Sequence, residues 1–156
     1  MSTKRFALLF ILPFILLACG RGKIFEEHKK IDNMTWDRFE VIKFDIPIEK
    51  TGVPYDLIFA MRHHTDIPFD EVEINFTMRT PGGETRSRDY TIRIRDREGN
   101  LVGDGMGALW DIRVPMKEAY VFSEEGVCKV EIANRMHRLK TVGVMEIGFI
   151  VRGSDK

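Results

Sequence analysis

The sequence predicts an all-β protein, an antiparallel β-sandwich of about seven or eight strands, immunoglobulin-like or jelly-roll-like in plan, and three observations lead there. Apolar residues recur at every second position in several separate runs, the period of a strand with one dry face and one wet face. Turn signals, Pro81-Gly82-Gly83 and Glu98-Gly99-Asn100, fall between such runs and supply the backbone angles that tight connections need. No segment carries a long apolar stripe of period 3.6. A closed β-barrel satisfies the same pattern and is the alternative architecture.

The chain has 156 residues and opens with Lys4 and Arg5 ahead of an apolar run at 6–17. That run is far shorter than the roughly 20 residues a membrane-spanning helix needs, so it reads as a secretion signal. It ends in Leu16-Leu17-Ala18-Cys19, which resembles the lipobox of bacterial lipoproteins. The cysteine sulfur is the group that takes a diacylglycerol, and the small residue before it lets the signal peptidase reach the bond. Residues 1–18 are therefore read as a signal peptide and Cys19 as the lipidation site. Several acyl chains, palmitate among them, anchor a protein far more firmly than one, because each buried methylene contributes about 0.8 kcal/mol. Residues 19–35 are rich in charge and small side chains without a sustained apolar period, and read as the lipidated cysteine and a tether of up to roughly 50–60 Å. The remaining 36–153 is expected to form a single β-sandwich domain.

Within that domain Ile42, Phe44 and Ile46 alternate with Lys43 and Asp45, and Tyr55, Leu57, Phe59 and Met61 form a second run. Val72, Ile74, Phe76 and Met78 alternate with Glu71, Glu73, Asn75 and Thr77; this is the clearest half-buried strand in the chain. Tyr90, Ile92 and Ile94, then Cys128, Val130 and Ile132, then Met145, Ile147, Phe149 and Val151 repeat the pattern. Residues 133–140 are expected to make one or two helical turns before the last strand. Loss of the signal removes two of 24 cations and none of 24 acids, so the mature chain is nearly neutral and has no basic block to suit nucleic acid. With Cys19 acylated, Cys128 is left without a disulfide partner, and its inward alternation makes it a core thiol.

Candidate chemistry is sparse. His63-His64-Thr65-Asp66 offers metal-ligand types, but adjacent residues of a strand point to opposite faces, so the two histidines share no ion unless the chain has left the strand. Glu71 and Glu73 lie on one strand face, roughly 7 Å apart, and read as solvated acids rather than a glycosidase pair. Gly103-Asp104-Gly105-Met106-Gly107 lacks the helix that would present N–H groups to a phosphate, because residues 109–114 are strand-like and Pro115 follows; it reads as a bend where backbones approach closely. No nucleophile elbow, zinc-protease motif or phosphate-binding loop is present. The expectation is a protein that is not an enzyme and uses no metal or cofactor. Trp110, beside the glycine stretch, is read as core; if exposed it becomes a stacking platform for a sugar or an anchor for a protein.

Tyr55-Asp56-Leu57 with Thr65-Asp66-Ile67-Pro68-Phe69, then Arg95-Asp96-Arg97-Glu98-Gly99-Asn100 running into Gly103-Asp104-Gly105-Met106-Gly107, then Arg135-Met136-His137-Arg138-Leu139 followed by Val142-Gly143-Val144 and Ile147-Gly148, occur in an order that resembles the gliding-motility lipoprotein family, H component, of Bacteroidota-type envelopes. The resemblance implies a non-enzymatic, lipid-anchored envelope protein that supports the gliding apparatus and the secretion system coupled to it through protein contacts. Trp110, Gly105, Gly107 and Arg138 are the candidate partner or ligand contacts. The basic or neutral residues after Cys19, Gly20-Arg21-Gly22-Lys23, favour the periplasmic face of the outer membrane over surface display. The alternative function is a glycan-binding module, which needs an exposed aromatic such as Trp110, Trp36 or Tyr120.

Overall fold

A computed structural model describes residues 22–155; the signal peptide, the lipobox at Leu16, Leu17 and Ala18, and Cys19 lie outside the described residues. The described chain is built almost entirely of strands, in two main sheets that face each other as a β-sandwich. One sheet has the order β1-β11-β4-β8-β7, from β1 (Lys23–Lys30), β4 (Pro54–His64), β7 (Asp104–Met106), β8 (Leu109–Val121) and β11 (Val144–Gly153). The other runs β3-β9-β5-β6, from β3 (Val41–Ile48), β5 (Glu71–Arg79), β6 (Thr85–Arg93) and β9 (Gly126–Asn134). A short ribbon of β2 (Thr35–Asp37) and β10 (Lys140–Val142) closes one end. Every pairing is antiparallel.

The period-two runs become these strands with their apolar faces inward: Ile42, Phe44, Ile46 and Ile48 of β3 are buried while the residues between them are exposed. β4 and β11 lie at the middle of their sheet and are buried on both faces, so their sequences read as near-continuous apolar runs. Phe149 of β11 ties the layers together. Its ring stacks on Phe76 of β5, with centroids 5.9 Å apart and planes 10° apart, and packs against Phe44 of β3 at 5.8 Å. Prolines fall where no ladder bond is lost: Pro47 is on the edge strand β3, and Pro115 lies in β8 beyond the short reach of β7.

Two expectations are corrected. The segment expected as a tether, 19–35, instead supplies β1, a short 3-10 turn at Asp32–Met34 and the start of β2, and β1 pairs with β11 from Lys23 to Lys30. Its period was hidden because it is an edge strand whose half-buried positions, Phe25, Glu27 and Lys29, include one apolar residue. Residues 133–140 form no helix: β9 runs to Asn134, whose amide donates to the Trp36 carbonyl (3.1 Å) and Thr141 Oγ1 (2.9 Å), and the chain bends through 137–139 into β10.

Asp56 explains one irregularity of the sheet. Pairing between β4 and β8 slips twice around Leu57, leaving Ala119 at φ 49, and the Asp56 carboxylate accepts the Ala119 N–H at 3.1 Å. Burial alone would raise this carboxyl, but the bonds from Ala119 and Ser154 and the Arg152 guanidinium outweigh it and hold the group below the usual carboxylate range.

His63 is fully buried on the inner face of β4; its Nδ1–H donates to the His64 carbonyl at 2.9 Å, while Nε2 has no partner. Burial pushes its pKa below the ordinary imidazole value, so below about pH 6.5 the unfolded chain takes up a proton that the folded chain refuses. Stability contributed by neutral His63 is complete above that pH and is lost as pH falls. Thermal unfolding followed from pH 7.5 to 5.5 is expected to show a steeper loss of stability for the wild type than for His63→Leu; equal slopes would refute the assignment.

Candidate interaction surface

The sandwich has two unlike ends. β1 starts at one of them, beside the end of β11, where Lys23 pairs with Arg152. The eleven residues of β4, at about 3.3–3.4 Å each, carry the chain roughly 35 Å to the other. Most of the sequence segments singled out above converge on that far end. Arg95 Nη2 donates to the carbonyls of Thr65 and Ile67, each at 3.4 Å, and the N–H groups of Ile94 and Arg95 both donate to the Asp70 carbonyl. The Thr65 N–H reaches the Ala108 carbonyl and the His64 N–H the Gly143 carbonyl, each at 2.9 Å. Asp96 organises the 96–100 turn: the Asn100 side-chain amide and the N–H groups of Asn100 and Glu98 donate to its carboxylate and hold it below the usual range.

The candidate contact residues divide into two groups at this end. Gly105 and Trp110 face each other across the β7–β8 hairpin, and a side chain on Gly105 would meet the indole ring at 2.5 Å, so the half-buried Trp110 lies flat on the glycine backbone. Gly107 makes the hairpin turn at φ 63 with open space around it. Arg138 sits on the other side, on the loop after β9, its guanidinium 6.0 Å from the Phe69 ring centroid. Phe69, Glu71, Glu73, Met136, His137 and Arg138 line a shallow groove of about 260 Å³, and Glu73 and Met136 are joined there by an N–H to sulfur contact of 3.3 Å.

The other candidates are not drawn into one cleft. His63 faces the core whereas His64 points outward beside Asp66, with 3.5 Å between ring and carboxylate, so the two histidines face opposite sides of the sheet. Asp104 is exposed and pairs with Arg113 at 3.5 Å. Cys128 is fully buried, and burial pushes its thiol up to about 12, which keeps it protonated and unreactive. Trp36 is fully buried, its indole N–H donating to the Glu40 carbonyl, and Tyr120 is held by Glu84 and Phe122; neither offers a free ring face.

Sequence reasoning missed the apolar residues that this end leaves in solvent. The β2–β10 ribbon carries Met34 and Val142 at one side and Phe39 and Leu139 at the other; Phe39 is 80 % exposed and Leu139 62 %. Met106, on β7, is 81 % exposed. Nothing in local pattern distinguishes these from core residues, because their exposure is set by the ribbon standing outside the two main sheets. Large apolar side chains grouped in this way suit a protein partner.

A Gly105→Ala substitution is expected to lift Trp110 from its seat, lowering stability by about 1–3 kcal/mol and shifting tryptophan emission to the red, with buried Trp36 as the unchanged background. Unaltered emission would show that the ring does not depend on the glycine.

The sequence profile of a family described as GldH lipoprotein matches residues 23–151. The gliding motility lipoprotein GldH of Flavobacterium johnsoniae is 23 % identical over 162 residues, covering 99 % of this chain and 100 % of that protein. The gliding motility lipoprotein GldH homolog of Christiangramia forsetii is 25 % identical over 156 residues, covering 94 % of each. No solved structure matches the chain.

Proposed function

We propose, from the premise that this chain belongs to the GldH lipoprotein family, that it is attached to the membrane through Cys19 and supports gliding motility and the secretion coupled to it by binding other envelope proteins at the end of the sandwich far from the anchor. The observation that carries the contact reading is the grouping of exposed Phe39, Leu139, Met34 and Val142 on the β2–β10 ribbon, at the end opposite the start of β1. A lipid anchor fixes one end of the protein, so the opposite end is the part free to meet a partner. Residence at the periplasmic face of the outer membrane fits the uncharged and basic residues after Cys19.

Contact without catalysis is the chemistry that these residues support. The thiol is protonated, His63 is buried and neutral, and the exposed carboxylates Asp66 and Asp104 stand beside different partners. The glycan-binding reading is weaker, because Trp36 is buried and Tyr120 packs against Phe122 and under the Arg86 guanidinium, which leaves the half-buried Trp110, one face on Gly105, as the sole ring of the three for a sugar.

Crosslinking in intact cells with a tagged chain that keeps Cys19, followed by identification of the captured proteins, tests the proposal. Phe39→Asp with Leu139→Asp is expected to lower capture of envelope motility or secretion proteins at least fivefold without changing the melting temperature by more than a few degrees. Undiminished capture would remove the ribbon from the contact, and recovery of no envelope protein by the wild type would refute the scaffold reading. Cys19→Ser is expected to abolish incorporation of labelled palmitate and release the protein from membranes; retained label would exclude Cys19 as the acylated residue.

A further inference from the structure

We infer that the end of the sandwich where β1 begins rests directly on the bilayer, with Ile24 and Val53 in the headgroup region. The inference relies on the lipid attachment at Cys19 proposed above and specifies the surface that meets the lipid. Three residue steps separate Cys19 from Gly22, a reach of at most about 11 Å even when fully extended. β1 starts at the next residue and is held in the sheet by pairing of Lys23 with Arg152. A domain whose first strand begins this close to the acyl chains has no slack with which to stand away from the membrane. Its near end must lie within the thickness of a headgroup layer, about 5–10 Å.

The surface at that end suits such a position. The β1–β11 register slips between Lys23 and Phe25, and Ile24 is left 46 % exposed. It borders a groove of about 330 Å³ with Lys50, Val53, Pro54 and Tyr55, and Val53 is 39 % exposed. Val121, which pairs with Pro54, adds a third aliphatic side chain in solvent. Lys50 lines the groove with them and Lys23, ion-paired with Glu26, precedes Ile24, a setting of short aliphatics and cations that matches the boundary between lipid phosphates and acyl chains. Acids stand at this end as well: Glu49, next to Lys50, and Glu125, on the loop between β8 and β9, both act on Tyr55 of the groove, while Glu124 faces Gly82 of the β5–β6 hairpin.

The test uses the full lipidated chain in vesicles of phosphatidylethanolamine and phosphatidylglycerol, with an environment-sensitive dye on Ile24→Cys, Val53→Cys or, at the far end, Leu139→Cys. Cys19 is acylated and Cys128 is buried, so the introduced thiol is the one that takes the dye. Spin-labelled lipids are expected to quench the probes at 24 and 53 at least twice as strongly as the probe at 139. The use of two near-end positions guards against one variant failing to fold. If the vesicles carry the protein on flotation and all three probes are quenched equally, the inference is wrong and the anchor stands. If the protein does not float with the vesicles, attachment at Cys19 fails and the inference fails with it.

Discussion

The contact between Phe149 and the rings of Phe44 and Phe76 is what makes two sheets into one protein. Each sheet alone would expose a row of aromatic and branched side chains to water. The central ring, on the middle strand pair of one sheet, reaches the facing sheet at two strands at once. A fully buried aromatic at such a point contributes on the order of 3–5 kcal/mol by truncation data, a large share of the 5–15 kcal/mol that holds a domain folded. Other features follow from the spacing it sets: the alternation of β3, β5 and β9, the burial of Cys128, and the neutral state of His63.

The main strands were legible because one buried face imposes a period of two, and β3, β5 and β9 show it residue by residue. β1 was not, since an edge strand needs apolar residues on only part of one face, and Glu27 and Lys29 occupy positions that a central strand would fill with valine or isoleucine. The return after β9 misled for a different reason. Its short polar pattern is compatible with helix, and the Asn134 amide decides against it through bonds to residues 98 and 7 positions away in sequence. Of the candidate contacts, the Gly105–Trp110 pair is recognisable from its glycine-rich setting, whereas the exposed ribbon at Phe39 and Leu139 depends on tertiary placement alone. The close approach of backbones read from the 103–107 glycines is found at Gly103, where a side chain would meet the Asp111 carbonyl at 2.3 Å, whereas Gly105 is filled by the Trp110 ring and Gly107 turns in open space.

The division of the molecule into two ends gives the order of the family's sequence segments a physical meaning. Short motifs scattered over some eighty residues are brought together by strands that all run the length of the sandwich, so their loops emerge side by side. Two segments are exceptions: Ile147-Gly148 lies within β11, and Tyr55-Asp56-Leu57 is at the near end, where the Asp56 carboxylate supports the irregularity of β8 at Ala119 and the Tyr55 hydroxyl donates to the Lys50 carbonyl.

The pairing of β1 with β11 has a mechanical consequence. β1 is joined to β11 by seven antiparallel residue pairs, and with the chain held at Cys19, as proposed, it would run away from the point of attachment. A force applied to the far loops and resisted at the lipid is directed along β1, so all seven pairs are loaded in shear together and none can be peeled open singly. Had the anchor been attached at the other end of that strand, the same force would have unzipped it pair by pair. On the proposed attachment, the first strand is oriented to bear tension in shear rather than to peel.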